Sequence, residues 1–244
     1  MLKKDLTAEQ LWLEIDKLPL EELSSILSHP KATEMHIVKV LTRKDVSEHF
    51  LQLVGRSQWM KYPRVQFYFV NNPKTPPAEA MNYIRHLFWR DLNFVLTNIK
   101  LATEVRHLAE TVVIQRLPTM ATGDKITLAR ITAGDVLKTM RLEKDSRIIN
   151  ALLQNPRMTE EDILFIVNQP KTPSPILEVI AKSSKWSCRK EVKIALLRNS
   201  ATPLSQAIAL ISGLLSTDLK MLISDQKVKL ALRKMMETKL KGQK

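Results

Sequence analysis

The chain is poor in the residues that mark several common protein classes. It has a single cysteine, Cys188, so an intrachain disulfide framework is excluded, and that fits a reducing compartment. Only 5 glycines occur in 244 residues, which argues against a turn-rich β protein and suits helices. The longest apolar stretch, Ala207 to Leu215, is nine residues long and contains Ser212 and Gly213, too short to span a bilayer. Near the start, Asp5, Glu9, Glu14 and Asp16 interrupt any signal-like apolar segment, so a cytoplasmic chain is expected. Catalytic signatures are also missing. There is no phosphate-cradling Gly-rich loop and no Gly-x-Ser-x-Gly elbow. The five histidines show no zinc-ligand spacing with carboxylates or cysteine. Cys188 has Arg189 and Lys190 beside it but no specific base, and Asp91 and Asp218 read as helix N-terminal residues. No catalytic residue, metal or cofactor is expected.

Hydrophobic residues make up 44% of the chain, enough for a packed core, and they are punctuated by a recurring phrase. Its forms are Asn72-Pro73-Lys74-Thr75-Pro76, Asn155-Pro156-Arg157-Met158-Thr159, Asn199-Ser200-Ala201-Thr202-Pro203 and the variant His29-Pro30-Lys31-Ala32-Thr33. Proline disfavours helix in the residue before it, so one helix stops there. Thr is then expected to accept a backbone N–H as an N-cap, with Pro76 and Pro203 at the first helical position. Counting Leu117-Pro118-Thr119 as a weaker copy, the spacings are 43, 45, 38 and 44, within the range of helix-pair solenoid repeats. Gln169-Pro170-Lys171-Thr172-Pro173 fits a turn inside a repeat.

A longer symmetry overlies the phrases. Residues 27–106 match residues 153–233. Leu27, Pro30, Thr33 and Ile37 pair with Leu153, Pro156, Thr159 and Ile163 at an offset of 126. After one inserted residue, Trp59, Asn72, Thr75, Asp91 and Arg106 pair with Trp186, Asn199, Thr202, Asp218 and Arg233 at an offset of 127. Trp59 and Trp186 are read as packing anchors, because a repeat reuses its packing. The fold expected is all-α: one right-handed α-solenoid over residues 1–244, with an N-terminal half (1–106), a bridging repeat (107–152) and a C-terminal half (153–240). Helices are expected from Thr7 to about Lys17 and from Leu18 to His29, with Thr122-Gly123-Asp124-Lys125 a loop before a helix.

The turns and spacing resemble the HEAT-like α-solenoid superfamily, and the Asn-Pro-x-Thr-Pro turn with short helices resembles bacterial leucine-rich repeat variant proteins. The resemblance implies fold. One member of the variant family carries a cysteine-rich iron–sulfur segment, which lone Cys188 does not match, so no cofactor is carried over.

The formal charge is +13. Its densest block is Lys182, Lys185, Arg189, Lys190, Lys193 and Arg198 against the single acid Glu191. Arg189 and Lys193 share a helix face at i, i+4. The matching region of the first half holds Arg56, Lys61 and Arg64. These residues, less Arg198, are the candidate partner-binding set, expected to form one long positive strip. The expected function is non-catalytic scaffolding through contact with a protein carrying an acidic surface. The alternative is binding of nucleic-acid phosphates by the same residues.

Overall fold

The computed structural model describes residues 5–241, and among them every regular element is helical. The chain divides into two compact units, residues 1–118 and 119–244. Unit 1 contains α1 (Ala8–Glu14), a 3₁₀ helix (Leu20–Ser28), α2 (Glu34–Leu41), α3 (Glu48–Gly55), a 3₁₀ turn (Gln58–Lys61), α4 (Pro63–Val70), α5 (Pro77–Ile84), α6 (Trp89–Thr97) and α7 (Thr103–Arg116). Unit 2 contains α8 (Thr122–Ile131), α9 (Gly134–Met140), α10 (Ser146–Leu153), α11 (Glu160–Asn168), α12 (Ser174–Lys182), α13 (Ser184–Ser187), α14 (Lys190–Arg198), α15 (Leu204–Ser212), α16 (Ser216–Ser224) and α17 (Leu230–Lys241).

The duplication is wider than the matching residues suggest. From α1 to α7 every helix of unit 1 has a counterpart from α9 to α17, starting 126 or 127 residues later. Leu11 and Leu137, buried on α1 and α9, extend the match toward the N-terminus. At the other end Thr111 and Thr238 each donate a hydroxyl to the carbonyl four residues back. Helix α8, with the 3₁₀ turn Leu117–Thr119, has no counterpart among the described residues. The chain expected as a bridge therefore belongs mostly to the duplicated units.

In unit 2, α8, α10, α12, α15 and α17 pack in succession, while α11 packs on α14. Lys190 ties α14 to α16 through Asp218, and α16 packs on α17. Unit 1 repeats these contacts: in a first row the first 3₁₀ helix packs on α3 and α5 on α7, and in a second row α2 packs on α4. The helices of the first row start at residues 20, 48, 77 and 103 in unit 1, and at 146, 174, 204 and 230 in unit 2. The helix-pair spacing is thus 26–30 residues, not the 38–45 expected from the proline phrase. The phrase does not mark the repeat length because it serves two kinds of turn. At His29 and Asn155 it joins a first-row helix to its second-row mate. At Asn72 and Asn199 it leads from the second row back to the first.

The turn chemistry explains why the phrase recurs. Asn72, Asn155 and Asn199 accept the backbone N–H two residues on, at 3.0, 2.8 and 2.9 Å. Their side-chain amides donate to carbonyls of the preceding helix pair: Leu41, Ala129 with Thr132, and Val167. His29, buried, replaces Asn by accepting from Lys31 N through Nδ1 at 3.2 Å. Two further copies lack the proline, Asn98 accepting from Lys100 N and Asp225 from Lys227 N.

The threonine behaves differently from the N-cap expectation in three copies. Thr75, Thr172 and Thr202 donate their hydroxyls back to Phe69, Ile166 and Leu196, each at 2.6 Å, closing off the previous helix. The residue after each, Pro76, Pro173 or Pro203, is itself the N-cap, so Pro76 and Pro203 stand one position before the first helical residue. Thr33 and Thr159 are N-caps as expected: Thr33 forms a capping box with His36, and the Thr159 hydroxyl accepts from Asp162 N while the Asp162 carboxylate accepts from Thr159 N. The box opening α1 at Thr7 and Gln10 is present, although α1 ends at Glu14.

Residues 20–28 form a 3₁₀ helix, where an ordinary helix from Leu18 was expected. Leu20, Leu23, Ile26 and His29 recur at every third position, which suits three residues per turn. Thr122-Gly123-Asp124-Lys125 is the first turn of α8, not a loop.

Candidate functional site

Most of the candidate cations of unit 2 are engaged by acids or carbonyls of the same unit. Within unit 2, Lys182 pairs with Glu178 at 2.6 Å, Arg189 with Glu160 at 2.8 Å, Lys190 with Asp218 at 2.7 Å and Arg198 with Asp225 at 2.6 Å. Asp218 holds the Lys190 ammonium above its ordinary pKa range by hydrogen bond and charge. Lys193 donates to the Gly213 carbonyl at 3.1 Å. Three of these partners, Glu160, Asp218 and Asp225, lie 27–29 residues away on neighbouring helices. Much of the dense basic block thus consists of ion pairs that link successive helices. In unit 1, Arg56 caps α3 and is exposed, Lys61 lies 5.1 Å from the Tyr62 ring and Arg64 donates to Met35 Sδ at 3.2 Å.

Trp186 is 1% exposed and donates its indole N–H to Leu153 O at 3.0 Å. Trp59 makes the same bond to Leu27 O at 2.9 Å. Both are packing residues that join consecutive first-row helices. Lys185 Nζ and Arg189 Cζ lie 4.5 and 4.9 Å from the Trp186 ring, so these candidate residues also cover an aromatic anchor. Cys188 is exposed at the end of α13, within 3.5 Å of Lys185 O, and does not start a helix.

Lys182 and Lys185 share a groove. It encloses about 590 Å³ between α10 and α12. Ser146, Arg147, Asn150, Leu153 and Gln154 line one side, at the i, i+4 and i+7 spacing of a single face of α10. Val179, Lys182, Ser183 and Lys185 line the other. Arg147 was not among the sequence candidates. It pairs with Asp145, two residues away, and holds that carboxyl below the usual carboxylate range. The Arg147–Asp145 and Lys182–Glu178 pairs lie largely in solvent, where such pairs contribute on the order of 0–1 kcal/mol and exchange readily.

The duplicate supplies an internal comparison. Leu20, Glu21, Ser24 and Leu53, at the positions of Ser146, Arg147, Asn150 and Val179, line a recess of about 250 Å³ in unit 1. The fold makes a recess at this point in both units, but only in unit 2 is it cationic. Glu21 stands where Arg147 does, and Gln58 where Lys185 does.

Among the described residues, no group of His, Cys, Asp and Glu is placed to hold a metal ion, and no helix is long and apolar enough to cross a membrane. No family model, curated protein or solved structure matches the chain.

Proposed function

We propose that the protein is a non-catalytic binding protein whose units are short α-solenoid segments of HEAT-like character, and that the unit 2 groove holds an acidic segment of a protein partner. The groove itself carries this reading. Arg147, Lys182 and Lys185 meet around one concavity with the polar side chains of Asn150, Gln154, Ser146 and Ser183, and no acidic residue lines it. A partner carboxylate can displace the weak pairs with Asp145 and Glu178 at little cost, while the amides and hydroxyls orient a peptide backbone. Solenoids offer extended surfaces for such segments. Of the sequence candidates, Lys182 and Lys185 retain the binding role, and Arg189, Lys190 and Lys193 take a structural one. A second reading, binding of nucleic-acid phosphates, draws on the +13 charge and on exposed Arg56 and Lys61.

Fluorescence anisotropy with labelled Glu-rich peptides and labelled DNA oligonucleotides, single-stranded and duplex, separates the two. Peptide binding is expected to weaken at least about tenfold, roughly 1.4 kcal/mol, in the double variant Arg147→Glu, Lys182→Glu. Peptide affinity unchanged by that variant, or no peptide binding, would defeat the groove reading. Oligonucleotide binding at about 50 mM salt that falls steeply as salt rises would establish the phosphate reading in its place.

A further inference from the structure

Unit 1 carries a second surface of different chemistry, built on the second row of helices and away from the recess at Glu21. On α4, Arg64, Phe67 and Tyr68 are spaced i, i+3 and i+4 and share a face. Arg64 reaches Met35 Sδ on α2 at 3.2 Å. Phe67 meets Phe94 of α6 edge to face, with centroids 6.1 Å apart, and Phe94 is 62% exposed. One turn before Phe94, Arg90 lies 5.2 Å from the Trp89 ring. One turn after Met35 on α2, Lys39 sits 4.6 Å over the ring of Trp12, which is 38% exposed on α1. Side-chain contacts therefore link α1, α2, α4 and α6 into one continuous face. At its α1 end is a shallow groove of about 440 Å³, lined by Ala8, Glu9, Trp12, Leu13, Thr33 and His36.

The duplicate shows that packing does not require these residues. Positions that hold the fold together are the same in both units: Trp59 and Trp186, Asn72 and Asn199, Thr75 and Thr202. The face residues are not. Trp12, Met35, Arg64, Tyr68 and Arg90 correspond to Lys138, Glu161, Glu191, Ala195 and Thr217. The twin unit completes its helices without exposed aromatics or arginines at these places. Phe67 and Tyr68 stay partly exposed, whereas Ile194 and Ala195 at the same points are buried.

We propose that this face, carrying Trp12, Met35, Arg64, Phe67, Arg90 and Phe94, is a docking surface for a protein segment that combines acidic and large apolar side chains. Its composition is that of an interface core, where aromatics, Met and Arg are enriched. Its charge selects the partner. Among the described residues neither Arg64 nor Arg90 has a carboxylate within ion-pair distance. Their contacts are a thioether and an indole ring, so both guanidinium groups retain N–H donors for carboxylates of the partner. Lys39, by contrast, is held by Asp16 at 2.8 Å. The groove beside Trp12 takes an apolar anchor side chain. Two separated arginines among apolar groups do not track a phosphate backbone, which argues against nucleic acid at this face. The proposal rests on the reading of the protein as a protein-binding module but not on the unit 2 groove.

Peptide display on the full chain tests it, with two libraries: Asp/Glu mixed with Leu, Phe and Trp, and Lys/Arg mixed with the same apolar residues. The acidic library is expected to enrich. Labelled peptides recovered from it should lose at least about tenfold in affinity to Phe94→Ala and to Arg64→Glu, and be unaffected by Arg147→Glu with Lys182→Glu. Both face positions are exposed, so unchanged melting temperatures confirm intact variants. Recovered peptides that respond only to the Arg147/Lys182 variant would overturn this face and leave the groove reading standing. Absence of enrichment, or equal enrichment of the basic library, would overturn it as well. A labelled single-stranded oligonucleotide whose binding is lost in Phe94→Ala and Arg64→Glu would assign the face to nucleic acid and end the proposal.

Discussion

Trp186 donates its indole N–H to the carbonyl of Leu153, 33 residues earlier, and Trp59 repeats the bond to Leu27. The bond closes the junction between consecutive first-row helices in each unit. It satisfies a carbonyl near a helix C-terminus, where no intrahelical N–H reaches. Replacing Trp186 with Phe leaves that carbonyl unpaired and a void beside it. The expected loss is about 2–4 kcal/mol by urea unfolding, combining an unmade buried hydrogen bond with incomplete filling. Trp59→Phe should cost less, because Trp59 is 7% exposed and water can reach its partner.

Thr202 is buried and its hydroxyl donates to Leu196 O. Thr202→Val keeps the shape and removes the donor, and is expected to destabilise by roughly 1–3 kcal/mol. Thr202→Ser keeps the donor and should cost clearly less. No loss in Thr202→Val beside a clear loss in Thr202→Ser, by thermal or urea unfolding, would mean that the methyl group matters and the bond does not.

Asp91 and Asp218 occupy equivalent places in the first turns of α6 and α16, but only Asp218 has a lysine. Pro63 stands where Lys190 does. Burial pushes the Asp91 carboxyl above its ordinary value, against a bond from the Phe88 backbone. A carboxyl raised in the folded state binds its proton more tightly there than in the unfolded chain. Its contribution to stability is full below the unfolded value and is lost as pH rises through the folded one. Asp91→Asn should remove that fall, so the variant gains on wild type between acid and neutral pH. The check is melting temperature against pH for both proteins. Curves with the same slope would rule the effect out.

Asp225 shows the opposite sign. The Lys227 backbone N–H, followed by Arg198, holds its carboxyl below the ordinary range. That stability is present above the unfolded value and lost as pH falls through the folded one. Asp225→Asn imitates Asn98, which accepts from Lys100 N at the matching turn. The variant should keep the turn, lose less than about 1 kcal/mol at neutral pH for an exposed pair, and show a flatter acid limb.

The proline phrase shows how far local reading reaches. A proline announces a helix end by its own sterics, so the turns at Asn72, Asn155 and Asn199 are visible in the sequence. The turns at Asn98 and Asp225 make the same backbone bond without a proline, so they carry no such mark in the sequence and the true spacing of the helix pairs is hidden there. The direction of the threonine bond was also hidden. A hydroxyl can give or accept, and which it does depends on the distance to a carbonyl six residues back.

The sequence by itself determined the helical class, the duplication and the packing role of the two tryptophans. Those follow from composition, from side chains that recur at fixed offsets and from the local geometry of proline turns. Only tertiary structure decided the charge of the surfaces. A run of lysines and arginines reads as a positive strip until the acids on the next helices are placed beside it. Glu160, Asp218 and Asp225 are distant in sequence and 2.6–2.8 Å away in space. Folding likewise drew Arg147 to Lys182, and Phe67 to Phe94. Helical periodicity gives the face on which a side chain lies, but only the packing of successive helices sets which faces meet.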